Sequence, residues 1–569
     1  MDDDVKKPDD DSRKDTLLER ARKRFDLSSE YWETIIDLSV ADHKFAIGNS
    51  DNGYQWPDAY RRQRQESGGA PRPCLTINRL PTHIAQVTNE QRQNRPQIKV
   101  RAVDDEGDPE VAEIINGLVR HIHGNVSDLY EGADIAITTA SDHQVRGGIG
   151  YIQICTDYCD DESFDQDIYF RRIADWTVIR DDPSIRTLVG RDRKFLFETV
   201  MLDEDAFDAT YPDADPIDWD SSDTQADDWY DCGQKRVRVA KYWYVQEKRR
   251  TLKLGDQKRV VVKRTVHCAT LSGQDVLEES EFPGRYIPFA RVVGNEAYIE
   301  GKPEISGLTR NAKDASRLLN YGRSAQAEHI GLAPKAPFVA PAEAIEGYED
   351  VWNTANTQAV SHLPYHAYNK DGQQLPMPQR ASPTLPNAAL SEMVAQSAED
   401  IKATTGQFDA SLGARSNEQS GKAILARQQE GDTATFHYLD NLAQGVKFCG
   451  DIIVEIIPFV YDTKRVVRIT GEDGTDDYAT INPAQKTAIE KVMKGKSYNL
   501  SIGKYDVTTS VGPSFASKRQ EGLAFLTEAG SKVPEMLAAN MDLLAKLSDN
   551  PYSEEMAKRI VEAPLNARF

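Results

Sequence analysis

The sequence runs to 569 residues, room for about two to four domains with sizeable cores. Apolar residues make up 39% and charged residues 28%, a balance that points to much wetted surface. With 69 basic residues against 91 acidic ones the net charge is −22, which disfavours tight sequence-independent binding of polyanions unless positive charge is locally concentrated.

The six cysteines, Cys74, Cys155, Cys159, Cys232, Cys268 and Cys449, are scattered, and a lone CxxxC pair without nearby histidines reads as reduced thiols of a cytosolic protein. The first residues, Met1-Asp-Asp-Asp-Val-Lys-Lys-Pro, lack the apolar core of a signal peptide. The longest apolar run, Ile452 to Tyr461, is interrupted by Glu455 and Pro458 and falls short of the ~20 residues that span a bilayer. The expectation is a soluble cytoplasmic product, with no membrane partner.

In chain order, residues 1–14 are almost wholly charged and read as a disordered acidic tail. Leu17, Leu18, Ala21, Phe25, Leu27, Tyr31 and Ile35 then recur at helical steps, predicting a helix from Thr16 to about Ser39. A turn-rich loop at 48–57 and the basic run Arg61–Arg64 precede a helix ending near Arg92 and a strand over Gln97–Val103. Asp108-Pro109 stands in cap and first-turn order for a helix to His123, and a second helix is expected over Asp128–Gln144. Strands are expected over Ile168–Ile173, Phe195–Val200, Arg236–Gln246, Val260–Ala269 and Ile287–Val293, with an Asp-rich insertion from Asp203 to Asp231.

Ile305 to Leu332 reads as one helix with small residues along one line: Gly307, Ala312, Ala315, Gly322 and Ala325. Each glycine costs a helix about 1 kcal/mol against alanine, so several together imply a crowded helix–helix seam. A Pro-rich excursion over 333–387 follows, with one short helix around Ala342–Ala355 and little else. Leu390, Met393, Val394, Ala398 and Ile401 then form the stripe of a returning helix. Two helices thus leave and return around an irregular tip.

A polar loop, Asp409–Lys422, leads to a long helical pattern from Ala423 to about Val460, with Gly431 as its kink point. A loop of that length is either a surface turn or a functional element. Beyond Pro458 come a strand at Val466–Thr470, a linker, a strand pair within 498–511, and helices at 517–529, 534–547 and 553–561.

Motifs of catalysis are weak. Ser420-Gly-Lys-Ala resembles a phosphate loop, but that pattern needs glycine at 416, where Ser416 stands, and a hydroxyl at 423, where Ala423 stands. Gly147-Gly-Ile-Gly leads into a strand rather than a helix and reads as a tight turn. His121 and His123, two apart, face different sides of a helix. The acidic run 159–167 reads as a solvated loop or a weak hard-cation site. No catalytic, cofactor-binding or metal-ligating residue is singled out, and no cofactor is expected.

Three separated segments resemble portal proteins of tailed double-stranded-DNA phages, of the short-tailed type. They are Pro73-Cys-Leu-Thr-Ile-Asn-Arg-Leu-Pro through Lys99-Val, Ser416-Asn-Glu-Gln-Ser-Gly-Lys-Ala-Ile with Arg427-Gln, and Gly503-Lys-Tyr-Asp-Val-Thr-Thr-Ser-Val-Gly-Pro onward. The resemblance implies an α+β portal fold. Its parts would be a mixed wing at 15–300, a stem helix at 301–332, a clip at 333–387 and a stem return at 388–404. A tunnel loop at 405–420, a kinked spine helix with strands at 421–510 and a helical crown at 511–569 would complete it.

It further implies a non-enzymatic homo-oligomeric ring, usually of about twelve subunits, at one capsid vertex of the virion, made in the bacterial host cytoplasm. Double-stranded DNA would pass through its channel during packaging and ejection. The terminase large subunit, adaptor or tail proteins, and major capsid and scaffolding proteins would be its partners. On this reading Arg310, Lys313, Arg317, Lys402, Arg415, Asn417, Gln419 and Lys422 are channel candidates, and Tyr348, Trp352 and Tyr365 are clip contacts for terminase or adaptor. The alternatives are another ring-shaped neck or adaptor protein of the virion, and a nucleic-acid-processing enzyme.

Overall fold

The computed structural model describes residues 10–66, 72–103, 108–160, 162–214, 230–231, 236–254, 257–273, 275–332, 338–355, 360–380, 388–407, 434–471, 476–485, 487–492 and 495–511, with a few isolated positions beyond them. The fold is mixed α+β. It divides into one compact unit of residues 1–43, 84–308 and 432–569 and another of 44–83 and 309–431. The expected crown helices, the Gly431 kink, the loop 409–422 and the Asp-rich stretch 215–229 lie outside the described residues.

Helix α1 (Asp10–Ala46) buries Leu17, Ala21, Phe25 and Trp32, and continues past the expected end at Ser39 because Asp42, Phe45 and Ala46 stay buried. The basic run lies on helix α2 (Asp58–Glu66), which the sequence reading did not anticipate. Helix α3 (Leu80–Gln93) and strand β1 (Pro96–Ala102) follow as expected. Helix α4 (Pro109–Gly124) opens as its sequence dictates: the Asp108 carboxylate accepts the Glu110 N–H at 2.8 Å, and Pro109 takes the first turn. Helix α5 (Ala133–Gly147) starts later than expected, because Ser127 and Tyr130 exchange backbone hydrogen bonds and turn the chain first.

The strand-rich zone holds β2 (Ile149–Tyr158), β3 (Gln166–Arg172), β4 (Ile179–Asp181), β5 (Phe195–Asp203), helix α6 (Glu204–Thr210) and β6 (Tyr230–Asp231). It continues through β7 (Arg236–Leu254), β8 (Gln257–Leu271), β9 (Val276–Phe282), β10 (Phe289–Val293), β11 (Asn295–Ile299) and β12 (Lys302–Ser306). Strands β10, β2 and β3 make one antiparallel sheet; β4, β5, β7, β8 and β9 make another, with β6 beside the start of β7. Ile305 belongs to strand β12 and not to the helix expected there, since the β11–β12 hairpin pairs Glu296 with Ile305.

The second unit carries helix α7 (Leu308–Leu332), strand β13 (Phe338–Val339), helices α8 (Ala342–Ile345) and α9 (Glu349–Thr354), strand β14 (Gln379–Arg380) and helix α10 (Ala388–Thr405). The first unit resumes with helix α11 (Phe436–Val460) and strands β15 (Arg465–Thr470), β16 (Asp476–Ile481), β17 (Ile489–Val492), β18 (Gly495–Tyr498) and β19 (Tyr505–Val511).

The strand pair expected within 498–511 does not form. Strand β18 pairs with β16 and β17, whereas β19 runs antiparallel to β1, with Val100 opposite Val507. Two of the three segments that resemble portal proteins thus meet in one two-stranded sheet.

Helix α11 is the centre of this unit's core. Its Leu442, Val446, Cys449, Ile453 and Ile456 are buried as the sequence stripe predicts. A side chain at Gly450 would meet Ile98 and Val507 at 2.8 Å, so the helix lies hard against β1 and β19. The glycine run at 147–150 closes α5 and enters β2, the reverse of a nucleotide-binding strand-to-helix turn. A Cβ at Gly150 would stand 2.3 Å from the Ala140 carbonyl oxygen, which explains the glycine by close approach alone.

One polar cluster sits inside this core. The Arg193 guanidinium donates to both Asp181 carboxylate oxygens, at 2.5 and 2.7 Å, and to the Phe289 carbonyl at 2.6 Å. The Tyr151 hydroxyl donates to the same carboxylate at 3.3 Å. Ser28 and Trp32 of α1 donate to the Asp181 carbonyl at 2.7 and 2.8 Å, so the first helix docks on this cluster.

Candidate functional site

The second unit carries the described residues that the sequence reading singled out. Helices α7 and α10 pack antiparallel: Leu319 lies with Ile401 and Val394, Gly322 meets Met393 and Val394, and Gln326 reaches Ser391. The crowded seam expected from the small residues is here a contact within one chain. A Cβ at Gly322 would lie 2.7 Å from Val394 Cγ2 and 2.9 Å from Met393 Cε. Gly307 precedes the helix, and a Cβ there would meet the Val145 and Arg146 carbonyls at 2.5 and 2.7 Å. Gly322→Leu is therefore expected to force α7 and α10 apart. The cost is about 1–3 kcal/mol, seen as a lower denaturation midpoint in a urea titration.

A polar ladder holds an extended segment along α7. The side chains of Asn320, Ser324 and Glu328 are spaced four residues apart and lie on one face. Asn320 accepts the Ile77 N–H at 2.7 Å, and Ser324 accepts the Leu75 N–H at 2.8 Å. Glu328 pairs with Arg64 at 2.8 Å, while Arg64 also donates to the Pro73 carbonyl at 3.2 Å. The Asn320 amide donates in turn to Gln55 at 2.8 Å, and Gln55 donates to the Phe45 carbonyl at 3.0 Å. Asn78 closes the strap by donating to the Ala46 and Gly48 carbonyls at 2.8 and 2.9 Å. The Pro73–Asn78 motif, recognisable in sequence only by resemblance, is the strap that grips this helix.

A second fastening lies where α10 ends. His83 Nδ1 is 3.0 Å from Gln407 Oε1 and 3.2 Å from Thr405 Oγ1, and Gln407 Nε2 donates to the His83 carbonyl at 2.9 Å. All three side chains are buried. Burial pulls the His83 imidazole below its ordinary pKa, and the Gln407 hydrogen bond only partly offsets this. The folded state thus prefers neutral His83, while the unfolded chain takes up a proton near about pH 6.5. The latch contributes fully above that value and is lost as pH falls through the lower folded value. Melting temperature is expected to drop between pH 7.5 and 5.5, and His83→Asn to flatten that part of the profile.

The basic candidates on the helices have local partners. Lys313 and Arg317, one turn apart, lie 5.8 and 5.5 Å from the centre of the buried Phe45 ring, and Arg317 also pairs with Asp314 at 3.3 Å. Arg310 is half-buried on the same helix. Lys402 pairs with Glu399 at 2.9 Å and keeps only 16% of its side chain exposed. Arg415, Asn417, Gln419 and Lys422 lie outside the described residues.

The tip is more structured than its proline content suggested. Strands β13 and β14 pair across its base, and Arg380 covers the Phe338 ring at 5.3 Å. The single helix expected over 342–355 is two, because the chain turns at Gly347 (φ 83°) and Glu349 accepts the Gly347 N–H at 2.9 Å. Trp352 meets Phe338 edge-on at 5.1 Å and donates to the Pro364 carbonyl at 2.8 Å. Tyr348 lies 5.2 Å from His366, itself held to Ala344 by a backbone bond of 2.8 Å. Tyr348 and Tyr365 are exposed, as are Val339, Tyr368 and Met377. Trp352 thus braces the tip, and the two tyrosines face outward.

The acidic run 159–167 turns to protein partners: Asp165 pairs with Arg465 at 3.5 Å, and Asp167 accepts from Asn125 and Tyr461. Among the described residues no group of three or more His, Cys, Asp and Glu side chains could hold a metal ion, and no helix is long and apolar enough to cross a membrane.

A family profile described as Phage P22-like portal protein matches residues 22–567. The chain belongs to this portal protein family. A protein described as "Portal protein" from Acyrthosiphon pisum secondary endosymbiont phage 1 is 26% identical over 506 residues, 80% of this chain and 68% of that relative. Portal proteins are structural components of the phage capsid, and the match spans both compact units of this portal chain. The strap, the β1–β19 pair and the helix pair all fall inside it.

Proposed function

We propose that this portal chain assembles into a closed ring at one capsid vertex, through which the genome is packaged and later ejected. The family match over nearly the whole chain carries the reading. On this assignment α7 and α10 are the stem, 333–387 the clip, 405–420 the tunnel loop and 511–569 the crown. The wing is 15–300 together with 421–510. The antiparallel helix pair with a folded tip between its arms supports a stem that projects a docking module.

The clip is the surface that takes the terminase large subunit during packaging and an adaptor or tail protein afterwards. Tyr348 and Tyr365 are its outward aromatic contacts, and Trp352 is the brace that keeps them in place. Arg310, Lys313, Arg317 and Lys402, with Arg415, Asn417, Gln419 and Lys422 of the tunnel loop and its exit, face the channel. A channel that must release DNA grips weakly, through few cations set in an acidic wall. The wing meets capsid and scaffolding proteins.

Single-particle imaging of the purified full chain checks the assembly. The expected result is closed rings of about a dozen subunits. A chain that stays monomeric at high concentration overturns the reading.

A further inference from the structure

Strands β7 and β8 stay paired well beyond the strands on either side of them. Strand β5 stops pairing at Tyr244, and β9 joins β8 only from Val266 onward. From Gln246 to Leu252 and from Arg259 to Thr265 the two therefore form a ribbon with no third strand among the described residues. Directly opposed residues share a face, and the faces alternate along each strand. The register thus sorts the ribbon into two unlike surfaces.

One surface carries Lys248 opposite Lys263, Arg250 opposite Val261 and Leu252 opposite Arg259. The other carries Glu247 opposite Arg264, Arg249 opposite Val262 and Thr251 opposite Val260. Glu247 and Arg264 pair at 2.9 Å, so the second surface neutralises part of its own charge. The first holds four cations and no carboxylate. All four are exposed, and none pairs with a carboxylate among the described residues. In a chain of net −22 this is a local concentration of positive charge of the kind that polyanion binding requires.

Nearer the core the same face is apolar: Tyr242, Tyr244 and Phe197 lie with Leu17, Ala21 and Phe25 of α1. That cover reaches Tyr244, where the Arg20 guanidinium of α1 sits 5.2 Å from the ring centre. Beyond it the face turns cationic. Lysine facing lysine destabilises an isolated ribbon. Guarding exposed strand edges would be served equally by cations on either face, whereas four of the six here are gathered on one. A polyanion laid across that face accounts for both features.

Spacing then favours a nucleic-acid backbone over an acidic protein. From Lys248 to Leu252 the ribbon runs about 14 Å. One strand of a duplex presents about four phosphates over that length, one for each cation. Leu252 and Val261, set between the cations, would meet the deoxyribose carbons that join successive phosphates.

We propose that this face of the β7–β8 ribbon docks the phosphate backbone of duplex DNA, without regard to base sequence. It belongs to the unit that does not contain α7 and α10, so it is a site additional to the basic candidates on those helices. The inference rests on the reading that duplex DNA passes this portal, and the experiment separates its failure from that of the ring.

The purified full chain is titrated into a short fluorescent duplex of arbitrary sequence, and binding is read by anisotropy over a series of salt concentrations. With four phosphates contacted, affinity is expected to fall about a hundredfold from about 50 to about 200 mM salt. The variant Lys248→Thr/Arg250→Thr/Arg259→Thr/Lys263→Thr keeps strand propensity. It is expected to remove most of the binding and to flatten the plot of log affinity against log salt by about three to four. The milder pair Arg250→Thr/Arg259→Thr gives about half that change, and Arg249→Thr, on the other face, leaves the slope in place. Circular dichroism and ring imaging check that each variant folds and assembles as the parent does. A parent that binds no duplex, or a slope that the four-residue variant leaves unchanged, overturns the docking while the ring reading stands. An equal loss from Arg249→Thr overturns the assignment to this face. A four-residue variant that binds duplex normally but whose copies separate at lower salt assigns the ribbon to a protein partner and also overturns the proposal. A chain that never leaves the monomer, yet loses duplex binding with the four cations, overturns the ring reading alone.

Discussion

Arg193→Met is expected to destabilise the unit built around α11 by about 3–5 kcal/mol, more than any surface change in this chain. The guanidinium and the Asp181 carboxylate are each at most 1% exposed, and the pair is bidentate. Methionine fills much of the volume but leaves Asp181 buried with only the Tyr151 hydroxyl and nearby backbone N–H groups for company. It also removes the donor to the Phe289 carbonyl in β10. Because Ser28 and Trp32 hang from the Asp181 carbonyl, α1 should loosen along with the sheet. The check is a chemical denaturation curve with tryptophan fluorescence. A double change that also replaces Asp181 with leucine should recover much of the loss, since the cost comes from an uncompensated charge rather than from the missing bond. A single change with no loss would show that water reaches the site.

Asn320→Leu is expected to cost the strap-bearing unit about 2–4 kcal/mol. The substitution strands the Ile77 N–H and one side of the Gln55 amide, both tied to a site where Asn320 is 1% exposed. Leucine has helix propensity at least equal to asparagine's, so any destabilisation reports the lost ladder and not a weaker helix. Hydrogen–deuterium exchange should show faster exchange at Leu75 and Ile77, with the Leu319–Val394–Ile401 contact less affected. Uniform loss of protection over the whole unit would instead mean that the strap and the helix pair fold as one.

Local chemistry made much of the fold readable in advance. The Asp108-Pro109 start of α4 and the stripe from Leu442 to Ile456 both state their element within a few turns of chain. What the sequence concealed depends on distant partners. Asn320, Ser324 and Glu328 look like the wet face of a helix until a strap from more than 240 residues away lies across them. Strand β9 hides behind Glu278, Glu279 and Glu281, a charged run at a sheet edge, although Glu279 accepts from the Tyr244 hydroxyl at 2.6 Å. Neighbouring strands usually pair with each other, which is why the run 498–511 suggested a strand pair, yet its one strand, β19, has its partner in β1. In the candidate site the two packed helices were legible from their apolar and small-residue stripes, while the His83–Gln407 latch was not. The two polar residues lie 324 positions apart, so no local pattern pairs them.

The β1–β19 pair also sets a schedule for biosynthesis. Lys99 and Thr508 are neighbours in space but 409 residues apart along the chain. At about 5–20 residues per second, the ribosome delivers the second strand roughly 20–80 s after the first. Throughout that interval β1 is an open strand edge, a template for aggregation or for wrong pairing. The core around α11 cannot close before β19 has left the ribosome, so a chain that stops short of it lacks half of the sheet against which α11 packs.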